Sequence, residues 1–142
     1  MSTPVLECER LTKSYRAGTP VLNELDLTIP SGKIFGLLGP NGCGKSTLIK
    51  LIAGILMPNS GGIKICSEYR SESSNALISY LPERPYFSSR MKVNELLDYF
   101  EDFYEDFDKL LAYNMLRDLK IEPLAQLKTL SKGTKEKVQL VL

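Results

Sequence analysis

Gly39-Pro40-Asn41-Gly42-Cys43-Gly44-Lys45-Ser46-Thr47 is the stretch that decides the fold of this chain. A glycine, four residues and then Gly-Lys-Ser/Thr form the pattern of a loop that binds the phosphates of a nucleotide. Chance alone would produce it in roughly half a percent of chains of this length. The apolar run at 34–38 predicts a buried strand before the loop, and the run at 48–53 predicts a helix after it.

The spacing of this loop follows from the chemistry of a triphosphate. Its glycines let successive backbone N–H groups turn inward, and the next helix adds unpaired N–H groups and the positive end of its dipole. Lys45 then reaches the β- and γ-phosphates, and the Ser46 hydroxyl is placed to ligate Mg²⁺. We therefore predict that all nine loop residues belong to a nucleotide site.

Composition excludes several classes of protein. The chain has 142 residues, 43% hydrophobic and 25% charged, as expected for one soluble domain with a buried core. Its formal charge of +1 lacks the positive excess of a nucleic-acid-binding protein, so no nucleic-acid partner is predicted. No stretch reaches the ~18 apolar residues of a membrane span. Three scattered cysteines suit a reducing cytosol; for Cys43, redox sensing and an ordinary loop position stay open.

The first thirty residues are predicted to form antiparallel strands. Residues 5–11 and 21–29 partly alternate between apolar and polar side chains, and turn-forming residues separate them. Apolar and polar patterns also predict the elements that follow the phosphate-loop helix. They predict a short strand at 63–66, a surface loop at 67–75 and a buried strand at 77–81.

From Lys92 onward the pattern becomes helical. Apolar residues recur at i, i+4, i+7 and i+11 with carboxylates between them, which predicts an amphipathic helix. Asp108 is predicted to cap a second helix. The aromatic residues are predicted to pack in the core, with a docking surface as the alternative. The predicted core positions are Leu96, Phe100, Phe103 and Phe107 in the first helix and Leu111, Met115 and Leu119 in the second.

Leu130-Ser131-Lys132-Gly133-Thr134-Lys135-Glu136-Lys137 predicts a further helix start. Ser131 can cap it, Gly133 permits close approach, and a helix N-terminus can face an anion. Alone, the segment fits a plain capped helix better than a site. Together with the phosphate loop, it resembles the signature motif of ATP-binding-cassette (ABC) ATPases, usually Leu-Ser-Gly-Gly-Gln, and the order of the parts agrees along the whole chain.

The resemblance implies a fold as well as a motif. The fold would be α/β, a P-loop NTPase of the ABC ATPase type, with an N-terminal antiparallel β part, a helical subdomain and an incomplete core sheet. Within a single domain spanning 1–142, residues 1–90 would form the β part and the P-loop core. Residues 91–142 would form the helical subdomain up to the signature helix.

The resemblance also implies roles for residues outside the phosphate loop. Tyr15, about thirty residues before Lys45, stands where the family stacks an aromatic ring on adenine. Glu83 stands where the family usually has glutamine, and would ligate Mg²⁺ with Ser46. A carboxylate is the stronger ligand but donates no hydrogen bond when ionised. The alternative for Glu83 is an ordinary surface glutamate. Ser131 and Gly133 would complete the ATP site of an opposing subunit.

The function implied is that of the ATP-binding subunit of an ABC transporter, with ATP and Mg²⁺ as cofactors. Its partners would be a second ABC ATPase subunit, identical or different, and a separate transmembrane permease that holds it at the cytoplasmic face of the membrane. Lys132 and Thr134 replace the signature's glycine and glutamine, a variant that resembles bacterial exporters. The alternatives are a soluble ABC ATPase of translation or DNA repair, a non-hydrolysing nucleotide-binding regulator and a small-molecule kinase.

We expect the sequence to be truncated, because it stops inside the segment that resembles the signature helix. The family's strand ending in Asp, its catalytic Glu and its switch histidine are not found in these 142 residues, which contain no histidine. No catalytic residue is therefore assigned, and binding of ATP without turnover is expected. Open sheet edges and exposed apolar surface predict marginal stability or association.

Overall fold

The computed structural model describes residues 4–82 and 87–142, in two units, Met1–Tyr80 and Leu81–Leu142. Each unit has its own hydrophobic core. The first contains strands β1 (Pro4–Arg16), β2 (Thr19–Pro30), β3 (Ser60–Ile65) and β4 (Glu68–Tyr69) with helices α1 (Lys45–Ile52) and α2 (Glu72–Asn75). The second contains helices α3 (Val93–Phe103), α4 (Lys109–Asp118) and α5 (Lys132–Val141) and a 3₁₀ turn, Leu127–Thr129.

The strands of the first unit form one antiparallel sheet in the order β2-β1-β3-β4. In its centre, Cys8 of β1 lies opposite Leu27 of β2 and Ile63 of β3. Burial raises the pKa of the Cys8 thiol to about 11, so Cys8 is a neutral apolar core residue. The antiparallel strands predicted for the first thirty residues, and the strand predicted near 63–66, are confirmed.

Strand β1 bulges at Arg10, where the pairing register shifts against both of its neighbours. Arg10 has a φ of 45°, its N–H donates to Asp26 Oδ1 at 2.7 Å, and its guanidinium pairs with Glu24 Oε1 at 2.7 Å. On the other side, the bulge approaches Gly61 of β3. A Cβ on Gly61 would lie 2.3 Å from the Arg10 carbonyl oxygen, so the bulge and this glycine require each other.

Two of the predicted strands are wrong, those at 34–38 and 77–81. Both segments lie outside the sheet, and most of their apolar side chains are exposed; Leu38 is 91% exposed and Leu77 is also exposed, whereas Ile78 is partly buried against the core of the first unit. A buried parallel strand needs paired strands beside it and helices over its faces. No described residue pairs with either segment. An apolar run therefore indicates that a segment favours burial. Whether the segment is buried depends on partners elsewhere in the chain.

The surface loop predicted at 67–75 is also wrong, because the segment contains β4 and α2. Tyr69 of β4 pairs with Lys64 of β3, and the Ser71 N–H donates to Ser74 Oγ at 2.9 Å where α2 begins. These short elements are held by local polar hydrogen bonds. They have no apolar period, so a search for hydrophobic periodicity cannot find them.

In the second unit, three helices and the segments between them surround one core. Asp108 caps α4 as predicted, since its Oδ1 accepts from the Leu111 N–H at 2.8 Å. Lys109 pairs with Asp98 at 2.8 Å and Glu101 at 2.5 Å, and both carboxylates raise the pKa of the Lys109 ammonium. The buried core residues are Val93, Leu96, Leu97, Ala112, Leu116, Ile121, Leu127, Val138 and Val141.

The core face of α4 is displaced by one residue from the prediction. Ala112 and Leu116 are buried, whereas Leu111 is 55% exposed and Met115 is also exposed. Both pairs have the four-residue spacing of one helix face, so periodicity does not distinguish them. Leu111 and Met115 were predicted as the core pair because both have large apolar side chains, whereas Ala112 has a small one. In the structure the small Ala112 lies on the buried side, where a small side chain lets neighbouring helices approach.

The aromatic residues of α3 are only partly in the core. Phe100 is half-buried, and its ring centroid lies 5.9 Å from that of Phe87 and 5.7 Å from that of Phe107. Helix α3 ends at Phe103, which is 67% exposed, so Phe107 joins from the following segment. Leu96 is buried as predicted, but the prediction that Phe103 packs in the core is wrong.

The bulge at Arg10 makes a testable prediction for β3. Gly61 and Gly18 have similar φ values, 83° and 78°, but a Cβ on Gly18 would meet nothing within 4 Å. We expect Gly18→Ala to lower the free energy of unfolding by about 1 kcal/mol through backbone strain alone. Gly61→Ala adds the clash with Arg10, so its loss should be about 3 kcal/mol. Urea denaturation measures both; equal losses would show that the bulge relaxes without cost.

Candidate nucleotide-binding site

The phosphate loop follows the segment at 33–38, which is in no strand, and its last three residues form the first turn of helix α1. Gly39, Gly42 and Gly44 have φ values of 155°, 84° and 97°. Gly44 is tightly confined, because a Cβ there would lie 2.8 Å from Leu22 Cδ2 and 3.0 Å from the Val21 carbonyl oxygen. A side chain is therefore excluded at Gly44 by both φ and space, and strand β2 fixes the point at which α1 begins.

Helix α1 begins at Lys45 with Gly44 as its N-cap, and no side chain caps it. The first N–H groups of a helix have no partner within the helix, and together with the helix dipole they favour an anion. A glycine cap cannot occupy them with a side-chain oxygen. The N-terminus of α1 therefore points its donors and partial positive charge toward the loop.

Lys45 crosses the loop that precedes it. Its Nζ donates to the carbonyl oxygens of Gly39 and Pro40, each at 2.7 Å, and lies 3.7 Å from Cys43 Sγ. Two of the three ammonium donors are thus engaged by backbone carbonyls. The next residue, Ser46, is exposed.

Tyr15 of β1 lies beside the same loop. Its hydroxyl is 3.2 Å from Thr47 Oγ1, across 32 residues of sequence. Thr47 is buried, with 8% of its surface exposed, whereas Tyr15 is 58% exposed. The structure therefore brings together the aromatic residue and the loop, both of which the sequence assigned to one site.

Lys13 is a residue that the sequence analysis missed. Its Nζ lies 5.8 Å from the centroid of the Tyr15 ring and donates to the Met57 carbonyl oxygen at 2.7 Å. The Ser14 N–H between them donates to Asn59 Oδ1 at 2.7 Å. Side chains two apart in a strand share a face, so the spacing of Lys13 and Tyr15 was a signal that could have revealed this contact.

In the second unit, Ser131 begins helix α5 as predicted. Its Oγ accepts from the Thr134 N–H at 3.1 Å and lies 2.8 Å from Thr134 Oγ1. Gly133 is exposed, and a Cβ there would meet nothing within 4 Å. The Lys132 side chain is also exposed, with its Nζ 3.8 Å from Glu136 Oε1. The signature-like turn is therefore open to approach from outside.

The predicted Mg²⁺ ligands are Ser46 and Glu83, and Glu83 lies outside the described residues. Within the described ranges, no three Cys, Asp or Glu side chains are grouped as a metal site. Mg²⁺ bound with a nucleotide keeps several waters and takes phosphate oxygens, so it needs few protein ligands. The exposed residue Ser46, within the candidate phosphate loop, fits that requirement. None of the described helices has the length and apolar character needed to cross a membrane.

Comparison with known proteins agrees with this geometry. The family model described as ABC transporter matches residues 22–142. An uncharacterized ABC transporter ATP-binding protein of Methanocaldococcus jannaschii is 34% identical, over 98% of this chain and 51% of that protein. The ABC transporter ATP-binding protein YtrB of Bacillus subtilis is 32% identical, over 97% of this chain and 48% of YtrB. The chain spans about half the length of these curated relatives.

A solved structure shows the same fold. A putative ABC transporter ATP-binding protein from Pyrococcus furiosus is 30% identical, with a TM-score of 0.78 over 96% of this chain and 68% of that one. The predicted fold class, an ABC-type P-loop NTPase with an antiparallel β part and a helical part, is confirmed. By family model, relatives and structure alike, the chain belongs to the ABC transporter family and resembles its ATP-binding proteins.

Proposed function

We propose that this chain binds Mg·ATP at the loop from Gly39 to Thr47 as part of the ATP-binding subunit of an ABC transporter. The observation that carries the proposal is the convergence of cationic and N–H groups on the loop. Lys45 lies across it, helix α1 begins there without a side-chain cap, and Gly44 is pressed against β2. Such a cradle suits several negative charges on adjacent phosphates.

Each residue near the loop has a role in this proposal. Lys45 binds the β- and γ-phosphates, and Ser46 holds Mg²⁺, with Glu83 as a second ligand. Mg²⁺ supplies charge neutralisation between the phosphate oxygens when it is bound. Tyr15 stacks on the adenine, which its exposed ring permits. Backbone N–H groups of the remaining loop residues complete the phosphate cradle.

We further propose that two ATP-binding subunits face each other in the complete transporter. Ser131 and Gly133 would complete the ATP site of the opposing subunit. The open space above Gly133, where a Cβ would meet nothing, supports an approach by a group from outside the chain. The dimer would act on a separate transmembrane permease and would therefore be held at the cytoplasmic face of the membrane.

Lysine substitutions in helix α1 test the phosphate role. We expect Lys45→Ala to weaken Mg·ATP binding at least about tenfold, because it removes a charged donor to phosphate. Lys50→Ala, which removes a lysine from the last turn of the same helix, should leave binding within about twofold. Calorimetric titration measures both, and thermal melts verify that each variant is folded. Equal weakening by the two substitutions would contradict the proposal.

Residues 1–142 alone are expected to bind ATP without steady turnover. The aspartate-ending strand and catalytic glutamate that the family resemblance requires are not in this sequence. Without a group to orient and deprotonate the attacking water, a bound triphosphate is held but not cleaved. Phosphate release under steady-state conditions measures this. Hydrolysis that persists through purification and is lost in Lys45→Ala would overturn the expectation.

We propose export, in a bacterium, as the direction of transport, on the basis of the variant signature with Lys132 and Thr134. Deleting the gene should then raise sensitivity to at least one peptide, lipid-directed or antimicrobial compound in a panel. The wild-type gene should restore resistance, and Lys45→Ala should not. A deletion strain that instead gains resistance to toxic solutes, or requires a higher concentration of a nutrient, would indicate import.

A further inference from the structure

We propose that Lys13 and Thr47 are positioning residues that hold the Tyr15 ring from two sides and leave one face of it open to stack on a nucleotide base. This inference rests on the proposed nucleotide binding. It adds a role for Lys13, which lies outside the phosphate loop, and a second role for Thr47 within it.

Thr47 fixes the outer end of the Tyr15 ring. The two hydroxyl oxygens are 3.2 Å apart. Thr47 is buried within helix α1, where a threonine is restricted to two main χ1 rotamers, so the positions open to its hydroxyl are few. Because a tyrosine hydroxyl lies on the long axis of the ring, this bond restricts where that axis points. It does not restrict rotation of the ring about the axis.

Lys13 restricts the rotation that the hydroxyl bond leaves free. Its ammonium lies 5.8 Å from the ring centroid, within the range of a cation–π contact. The ammonium is itself held, because it donates to the Met57 carbonyl oxygen at 2.7 Å. The backbone between Lys13 and Tyr15 is fixed by Asn59, whose Oδ1 accepts from the Ser14 N–H. One face of the ring is therefore directed toward a stationary cation.

The opposite face of Tyr15 is then left for a flat aromatic ligand. The ring is 58% exposed although its hydroxyl and one face are engaged. A base stacked there would meet a ring that is already oriented, so less conformational freedom is lost on binding. The two ammonium groups have different partners, since Lys13 donates to the Met57 carbonyl and Lys45 to the loop carbonyls. Lys13 therefore serves the base, and Lys45 serves the phosphates.

Two ligands separate these roles, Mg·ATP and Mg·tripolyphosphate, which lacks the base and sugar. Both are titrated calorimetrically into the full chain. Lys13→Met keeps the length of the side chain and removes its charge. It should weaken ATP binding about two- to fivefold, with a clearly smaller effect on tripolyphosphate. Tyr15→Phe keeps the ring and removes the hydroxyl, and should show the same preference. Lys13→Arg, which keeps a cation over the ring, should restore ATP binding.

The same sheet offers a matched control pair. Lys64 lies 4.8 Å from the centroid of the Tyr69 ring, and both side chains bond to Glu9 and not to the loop. Lys64→Met and Tyr69→Phe should leave the ratio of ATP to tripolyphosphate affinity unchanged. Thermal melts report any loss of folding, which would lower both affinities together and leave the ratio unaltered.

The outcomes distinguish failure of the inference about Lys13 from failure of the proposed nucleotide binding. If Lys13→Met melts like the wild-type chain and weakens both ligands equally, Lys13 acts on phosphate through its charge, and the inference is overturned. No effect on either ligand overturns it as well, while the phosphate site stands as long as Lys45→Ala weakens the binding of both at least about tenfold. If the wild-type chain binds neither ligand, or Lys45→Ala binds both normally, the proposed nucleotide site itself is wrong.

Discussion

The contact between Gly44 and strand β2 is the constraint on which the site depends. With Leu22 Cδ2 2.8 Å and the Val21 carbonyl oxygen 3.0 Å from where a Cβ would be, the backbone of the loop lies directly against the sheet. Helix α1 begins at that point, so its first turn is fixed relative to β1 and β2. This placement determines where the side chains of Lys45 and Thr47 extend. One extends across the loop, and the other reaches Tyr15.

The antiparallel sheet is therefore part of the site as well as its support. The segment before the loop is not a strand here, and its apolar side chains are exposed. The loop and helix α1 are positioned instead by β2, which contacts Gly44, and by β1, which carries Tyr15. The bulge at Arg10 lies in β1 as well, packed against Gly61 of β3. Strain in the middle of this strand is compatible with a fixed site because both neighbouring strands and their side chains hold the bulge.

What the sequence predicts correctly is chemistry that is local along the chain. The caps at Asp108 and Ser131 are confirmed, and each bonds to a residue three positions on. The nine loop residues are also contiguous, but their nucleotide-binding role stays a prediction. The short elements within 67–75 were missed because they have no apolar period, whereas three other wrong predictions depend on distant partners. The segments at 34–38 and 77–81 require neighbouring strands. The choice between Leu111 and Leu116 in α4 depends on neighbouring helices. The bond between Tyr15 and Thr47 crosses 32 residues, and no local pattern reports it.

The bonds of Lys45 limit how phosphate can enter the loop. Its ammonium already donates to the carbonyl oxygens of Gly39 and Pro40, so a phosphate does not meet an unbonded cation. If both carbonyl bonds were exchanged for phosphate bonds, the carbonyls of Gly39 and Pro40 would bond to water, because both residues are exposed. An ammonium has three donors, and the neighbouring Cys43 sulfur is only a weak acceptor at 3.7 Å. In the proposed nucleotide site, the third donor would therefore meet a phosphate first, and the two carbonyl bonds could then be exchanged for phosphate bonds at little cost.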